Sequence, residues 1–398
     1  MKKTHNILVF TYWSYHDPLI QAYTLPYLKI IKNLNPENIS IHLITLEKKN
    51  SKANSIDKNI LSSNIRLKYY PVGITAAVNW IISIFIILKT IKKNKINALH
   101  SWCTPAGMIA YIISVITKIR LIADSYEPHA ESMVENGSWK KKSWAFKTLF
   151  YFEKKIALHS SHIISIAPEM NNYIKNKYAL DIKIKFVKPA CVDLDKFNIS
   201  NRKNLNLIQQ LNIQDKIICL YAGKFGGIYY DKEVFDFFKS ADKFFGDKII
   251  FLILSNQAIE SINQKIVDSG ISKDKFIIRS IPHDQMPEWV GLADFAICPV
   301  KPVPTKKYCS PIKTGEYWAM GLPIIITKNI SNDSQIIEDS GMGYVWKEMT
   351  TKEFEISLVE VKKIISSDVK SYSEKIRNLA IDFRNFEIAR DIYREIYD

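Results

Sequence analysis

Apolar residues recur along this chain in two alternating rhythms. Short β-branched runs are separated by longer stretches whose apolar positions fall at helical spacing, the signature of βα repeats around a parallel sheet. In the first half the runs predicted as strands are Ile7–Phe10, Ile41–Leu46, Leu67–Val72, Ala98–His100, Arg120–Ala123, His162–Ile166 and Ile184–Val187. In the second half they are Lys216–Tyr221, Lys248–Leu254, Lys275–Ile278, Phe295–Cys298, Pro323–Thr327 and Gly343–Val345. Each half therefore reads as a doubly wound α/β domain. Such sheets bind ligands beyond the carboxyl ends of their strands, so function is sought in the residues just after each one.

The rhythm breaks at Lys188-Pro189-Ala190-Cys191-Val192-Asp193-Leu194-Asp195-Lys196-Phe197, where a proline and acidic turn residues lead into the polar Asn198–Asn206. This segment reads as a linker. It divides the chain into residues 1–190, 191–370 and a helical stretch 371–398 with no strand after it, predicted to pack back across both domains. A length of 398 residues agrees with two domains, and 47% hydrophobic with 24% charged residues is the composition of a folded globular protein.

Charge sharpens the division. Residues 1–190 hold 27 Lys and Arg against 11 Asp and Glu, whereas the remainder holds 28 against 29. The whole excess of +15 thus comes from the first half, which points to an anionic surface met by that half alone. Ile74–Leu88 is broken only by Thr75, Asn79 and Ser83 and runs into Lys89, Lys92, Lys93 and Lys95; Trp139–Lys155 interleaves aromatics with lysines. Both patterns predict interfacial helices on an anionic membrane, the first being short of the roughly 20 residues a span requires. Solvated helices covering the sheet are the simpler alternative, and lysine-rich coding bias is the other explanation of the charge, although the same bias did not make the second half basic.

The opening Met1–Phe10 has too short an apolar run, and no small-residue cleavage site, for a signal peptide. The predicted location is the cytoplasm, peripheral on the inner face of the plasma membrane. Five scattered cysteines, Cys103, Cys191, Cys219, Cys298 and Cys309, predict reduced, mostly buried thiols rather than disulfides or a zinc site. No G-x-G-x-x-G follows the first strand, where Thr11-Tyr12-Trp13-Ser14-Tyr15-His16-Asp17-Pro18 stands instead, and there is no Walker A, H-E-x-x-H or G-x-S-x-G motif. These absences count against dinucleotide-dependent dehydrogenases and P-loop enzymes. Basic charge without an RNA or DNA motif predicts no nucleic-acid partner.

The sharpest local feature is Ser310-Pro311-Ile312-Lys313-Thr314-Gly315-Glu316-Tyr317-Trp318-Ala319-Met320-Gly321-Leu322-Pro323-Ile324-Ile325-Ile326. Ser310 reads as the N-cap of a short helix, Pro311 fits its first turn, and Gly321 with Pro323 stop it before a buried strand. The free amides of its first turn, from Ile312 onward, form an anion site suited to a diphosphate, with Lys313 adding charge. Glu316 is placed to accept from both hydroxyls of a ribose. Lys224 follows a buried strand and precedes the flexible Phe225-Gly226-Gly227 turn, which suits it to a phosphate. In the first half, Asp124-Ser125-Tyr126-Glu127-Pro128-His129-Ala130-Glu131 directly follows a strand and is expected to project into the cleft, and His100 and His16 also fall at strand ends.

The Ser310–Ile326 run resembles the donor-site signature of glycosyltransferase family 4, and Glu316 matches that family's ribose-binding glutamate. Val187–Phe197 is similar to the family's linker, Leu220-Tyr221-Ala222-Gly223-Lys224 to the strand and loop that set a basic residue on the donor diphosphate, and Met286–Pro299 to a further family stretch. The resemblance covers roughly residues 185–345. It implies the GT-B fold, two Rossmann-like domains facing a central cleft, and a retaining transfer of a sugar from a nucleoside-diphosphate sugar to an acceptor hydroxyl. It further implies no metal, a glycan or lipid-linked acceptor in polysaccharide or glycolipid assembly, donor contacts from Gly223, Lys224, Ser310, Ile312, Lys313 and Glu316, and a catalytic cleft loop carrying His129, Asp124 and Glu131. Two departures stand out. Tyr308 occupies the place of the family's second glutamate, eight residues before Glu316, and the usual glycine-rich loop is replaced by Thr11–Pro18, predicting an acceptor side lined by Tyr12, Trp13 and His16. A nucleotide-sugar epimerase on the same fold, and a non-catalytic sugar-nucleotide-binding subunit, are the competing readings.

Overall fold

The computed structural model describes residues 4–48, 56–69 and 74–397. The chain forms two compact units, residues 1–188 with 387–398, and residues 189–386. The division falls two residues before the expected one, and the second unit continues past residue 370.

In the first unit, seven described strands form one parallel sheet in the order β3-β2-β1-β4-β5-β6-β7. They are β1 (His5–Phe10), β2 (Ile39–Glu47), β3 (Ser63–Lys68), β4 (Ala98–Trp102), β5 (Leu121–Tyr126), β6 (His162–Ser165) and β7 (Phe186–Val187). The intervening helices are α1 (Leu25–Leu34), α2 (Ile74–Lys93), α3 (Thr104–Thr117), α4 (His129–Glu135), α5 (Trp144–His159) and α6 (Met170–Tyr178). In β1 and β2 nearly every side chain is buried, as expected where helices cover both faces of a parallel sheet. One core forms where Leu8, Phe10, Ile44 and Leu99 meet Ile87 and Ile91 of α2 and Ile109 and Ile113 of α3.

Two strands depart from expectation. β3 lies earlier than the predicted Leu67–Val72, because the edge strand uses the alternating Ser63-Asn64-Ile65-Arg66-Leu67-Lys68, one face inward, rather than the more apolar residues after it. The end of the predicted strand, from residue 70, lies outside the described residues. β5 runs through Asp124, Ser125 and Tyr126, with a register shift between Ala123 and Tyr126 and Ser125 at φ +53°. Polar residues inside a strand imitate a loop in the sequence; here the bulge and buried partners keep them in the sheet.

The second unit repeats the scheme with six described strands, ordered β10-β9-β8-β11-β12-β13. These are β8 (Ile217–Ala222), β9 (Ile249–Leu254), β10 (Phe276–Arg279), β11 (Phe295–Cys298), β12 (Ile324–Thr327) and β13 (Gly343–Trp346). The helices are α7 (Leu205–Leu211), α8 (Lys232–Phe245), α9 (Ile259–Ser269), α10 (Met286–Val290), α11 (Ile312–Ala319), α12 (Asp333–Ser340), α13 (Thr351–Ile365) and α14 (Val369–Arg384). Successive strand residues go to opposite faces: Leu220, Ala222, Leu252 and Leu254 join one core, and Cys219, Tyr221, Phe251 and Ile253 the other. Against the second face, α8 presents Val234, Phe235, Phe237 and Phe238; the Phe237 and Phe238 rings meet Phe251, Phe276, Trp346 and Phe354. Each such side chain contributes about 1.5–3 kcal/mol by leaving water.

The expected single helical stretch 371–398 is two helices. α14 ends at Arg384, Asn385 is extended, and α15 (Phe386–Tyr397) comes next. α14 packs on α11 within the second unit, while α15 from Glu387 belongs to the first. Cys103, Cys191, Cys219 and Cys298 are buried thiols outside any disulfide, and Cys309 is half-buried.

Candidate functional site

In the second unit the strand order reverses between β8 and β11, and that switch point is where an open α/β sheet offers a ligand crevice. The turn leaving β8 carries Gly223 and Lys224; the segment leaving β11 leads to α11. A hydrogen bond ties them, since the Ala222 N–H at the end of β8 donates to the Tyr317 hydroxyl at 3.1 Å. Gly223 donates its N–H to Leu254 O at 3.0 Å, the Phe225 N–H donates to Gln257 Oε1 at 2.6 Å, and Gly226 and Gly227 adopt φ +83° and +64°. The turn is thus pinned on both sides, with the Lys224 side chain exposed.

Glu316 sits in the second turn of α11 and is only 2% exposed. Lys313, one turn earlier, places Nζ 2.8 Å from Glu316 Oε2, and His283 places Nε2 3.5 Å from Oε1. Burial opposes ionisation of Glu316, yet the Lys313 ammonium and the His283 ring outweigh it and hold the carboxyl below its ordinary value. A buried carboxylate beside a cation, at the switch point, is suited to accept from hydroxyls of a ligand that displaces these partners.

The start of α11 differs from expectation. Pro311, not Ser310, is the N-cap, and it offers no side-chain acceptor. Ser310 Oγ accepts instead from the Ala190 N–H at 3.0 Å, so its role is to hold the start of the unit against the α11 approach. Gly315 is explained by packing, because a Cβ there would lie 3.2 Å from Cγ of Arg384. That arginine is fully buried and ion-paired with Asp333 at the first turn of α12. Tyr308 ends the turn Pro304–Tyr308 and is half-buried.

Sequence reasoning missed His283. It stands beyond the carboxyl end of β10, where the strand-end rule used for the other loops would have found it, and Lys196 Nζ lies 3.3 Å from its Nδ1.

In the first unit the switch point lies between β1 and β4, and Tyr12, Trp13 and His16 follow β1. Tyr12 and His16 are exposed, Tyr12 meeting Tyr69 edge-on at 6.3 Å, while Trp13 is half-buried against the core. His129 opens α4 with Nδ1 3.0 Å from Glu127 Oε1, and Glu131 is ion-paired with Lys177 at 2.9 Å. Asp124 is a correction. It lies within β5, fully buried, 3.1 Å from Lys188 Nζ, 3.2 Å from His100 Nε2, and accepting from the Tyr393 hydroxyl at 2.7 Å. Burial would raise this carboxyl, but Lys188 and His100 hold it at about 2. His100 is likewise inside β4 and buried, not at a strand end. Both belong to a polar knot in the core of the unit. Among the described residues no group of three or more His, Cys, Asp or Glu is arranged to hold a metal.

Solved structures share this architecture end to end. A glycosyltransferase from Rickettsia africae ESF-5 superposes with a TM-score of 0.73 over 99% of this chain and 98% of its own, at 14% identity. Anabaena Alr3699/HepE, solved with UDP, gives 0.72 over 99% of each chain at 11% identity. WaaG, a glycosyltransferase involved in lipopolysaccharide biosynthesis, gives 0.71 over 98% of this chain and 99% of its own, at 11% identity. The fold is GT-B. No protein-family model and no curated protein matches the sequence. At such identities the GT-B likeness fixes the architecture, and the chemistry must be argued from this chain's own residues.

Proposed function

We propose that the protein is a family-4-type glycosyltransferase that moves a sugar from a nucleoside-diphosphate sugar to an acceptor hydroxyl with retention at the anomeric carbon. The observation that carries this reading is Glu316, a buried carboxylate on the helix that leaves the switch point, paired with Lys313 and tied through Tyr317 to the Lys224 turn. Glu316 accepts from the ribose hydroxyls. Lys224, Lys313 and the amides at Ile312 and Lys313 stabilise the negative charge that grows on the departing diphosphate, a task for fixed cations and dipoles. His129 donates to the sugar or leaving group. Retention and the role of His129 rest on the family resemblance, and the scheme uses no metal.

Alr3699/HepE was solved with UDP and with UDP-glucose, so UDP-sugars are the first donors to test. A thermal-shift screen of UDP, GDP and their sugars, followed by transfer to glycan and lipid-linked acceptors, tests the whole reading, because a ligand bound only by the folded state raises its melting temperature. No shift with any nucleotide overturns it. A shift without transfer favours the non-catalytic subunit, the reading to which Tyr308 lends weight, and an epimer released without acceptor favours the epimerase.

The acceptor side belongs to cell-surface polysaccharide or glycolipid assembly at an anionic membrane. Support comes from α2, where Val78, Ile81, Ile82, Phe85 and Ile86 form an exposed apolar stripe, Phe85 at 68%. An ordinary surface helix is polar there. Residues 70–123 contain no Asp or Glu and six Lys or Arg, four of them closing or just following α2, so the stripe is framed by positive charge as in helices that lie in a lipid interface. No described helix is long and apolar enough to cross a membrane. On α5, Trp144 and Tyr151 are exposed beside Lys147 and Lys155.

A further inference from the structure

The buried stripe of α5 runs Phe146, Leu149, Glu153, Ile156, and one of these four is a carboxylate with no exposure at all. Packing alone would place an aliphatic residue there, since a buried carboxylate costs several kcal/mol unless it is compensated. Its contacts show what the charge is used for. Glu153 Oε1 accepts from the Ala130 N–H at 2.9 Å, and Oε2 accepts from the Tyr178 hydroxyl at 2.8 Å. Tyr126, the last residue of β5, donates its hydroxyl to Glu153 O at 2.7 Å.

Ala130 is the second residue of α4. The N-cap of that helix is Pro128, which has no side-chain acceptor, so its first-turn amides need one from elsewhere. Glu153 supplies it from below, while Thr104 Oγ1 donates to Glu127 O at 2.9 Å from the other side. The segment between these two clamps is Glu127-Pro128-His129-Ala130, and it carries the His129–Glu127 pair.

We propose that Glu153 is a positioning residue that fixes His129 by anchoring the first turn of α4 through the Ala130 amide, and that protonation of Glu153 loosens that anchor. The inference rests on the reading of His129 as a site residue. Burial pushes the Glu153 carboxyl up to about 7, against the Ala130 amide, the Tyr178 hydroxyl and the His129 ring, with Glu127 acting in the same direction as burial. The groups facing it are Tyr126 of β5, Glu127, His129 and Glu131 around α4, and Tyr173 and Tyr178 of α6; Glu131 is neutralised by Lys177. All three tyrosines are held above their ordinary values by burial; a histidine such as His129 ordinarily titrates near neutrality, so the Glu153→Gln variant, which retains His129, separates the two groups. A charge-assisted hydrogen bond is roughly twice as strong as a neutral one, so ionised Glu153 holds the amide more tightly than the neutral acid does.

Hydrogen–deuterium exchange of the full chain decides the anchor without any substrate. In the wild type, a peptide spanning residues 127–135 exchanges about tenfold more slowly at pH 8 than at pH 6 after correction for intrinsic rates. In Glu153→Gln, an isostere that keeps both hydrogen bonds without the charge, the corrected rates at the two pH values are equal. Equal pH dependence in both proteins overturns the proposal. In the transfer assay, Glu153→Gln keeps the donor KM and loses the inflection of kcat near pH 7, whereas Glu153→Asp restores the inflection in part. A kcat profile identical to wild type overturns the positioning role even if exchange behaves as stated. Absence of transfer by the wild type itself would instead count against the glycosyltransferase reading, and the exchange measurement would still decide the anchor.

Discussion

Lys188 Nζ lies 3.1 Å from Asp124 Oδ1, and neither side chain reaches solvent. The ammonium also stands 3.8 Å from the centre of the Tyr27 ring and 4.8 Å from that of Trp102, so its charge is answered by a carboxylate and aromatic faces. Removing one partner strands the other. Lys188→Met is expected to destabilise the first unit by about 3–5 kcal/mol, read by urea denaturation at pH 7. With Asp124→Asn added, the loss should be well short of additive. Additive losses would mean the two residues act separately. Because the Asp124 carboxyl is held at about 2, its contribution is present above the usual carboxylate range and disappears only as pH falls through about 2.

Glu153 has the opposite sign for the fold as a whole, because burial outweighs its local bond to the Ala130 amide, which ionisation strengthens. Its carboxyl is raised from 4.5 to about 7, so its contribution to stability is complete below about pH 4.5 and is lost as pH rises through 7. Glu153→Gln should therefore match the wild type near pH 5 and melt several degrees higher at pH 8. A melting difference that does not change with pH removes the case for a buried ionisation.

Replacing Glu316 by Gln should leave the α11 backbone intact and remove the charge proposed to accept from a ribose. Donor affinity should fall by about 1.5–3 kcal/mol, the range for hydrogen bonds to a charged group, with transfer nearly abolished. Calorimetric titration with the nucleotide that gives the largest thermal shift measures it. Undiminished binding would leave Glu316 a structural partner of Lys313 and His283.

Lys224→Ala should weaken a nucleoside diphosphate about tenfold while leaving the nucleoside unchanged, since a point charge at the distal phosphate does not meet the base. The Lys224 side chain is exposed on a turn held by Gly223, Phe225 and Gln257, so the fold should tolerate the change. Equal losses for both ligands would assign Lys224 to the turn rather than to the phosphate.

Sedimentation with vesicles tests the α2 stripe. Binding should rise with anionic lipid and fall with salt. Phe85→Glu should weaken it sharply, and charge reversal of Lys140, Lys141 and Lys142 should reduce it by about 1 kcal/mol per lysine near the surface. Binding that ignores both salt and lipid charge would refute electrostatic docking. Self-association of the free chain that Phe85→Glu abolishes would assign the stripe to a second copy instead.

The βα rhythm was enough to place the sheet strands within a few residues, because most strands covered on both faces are written as short, near-continuous apolar runs set between longer stretches of helical spacing. The motif Ser310–Ile326 likewise marked α11 and Glu316, since helix, stop signal and next strand lie within one contiguous stretch. Features set by local periodicity and contiguous spacing were legible.

Features set by partners distant in sequence were not. Asp124 reads as a loop acid until Lys188 and Tyr393, 64 and 269 positions away along the chain, close over it. Ser310 reads as a cap until the Ala190 amide takes its oxygen, Gly315 has no visible purpose until Arg384 fills the space beside it, and His283 lies outside every motif although it reaches Glu316. Glu153 looks like one more solvated helix glutamate. Spacing determines which face of an element is apolar, but only the tertiary structure decides which polar side chains lose their water together, and with it their ordinary acidity and the roles their sequence suggested.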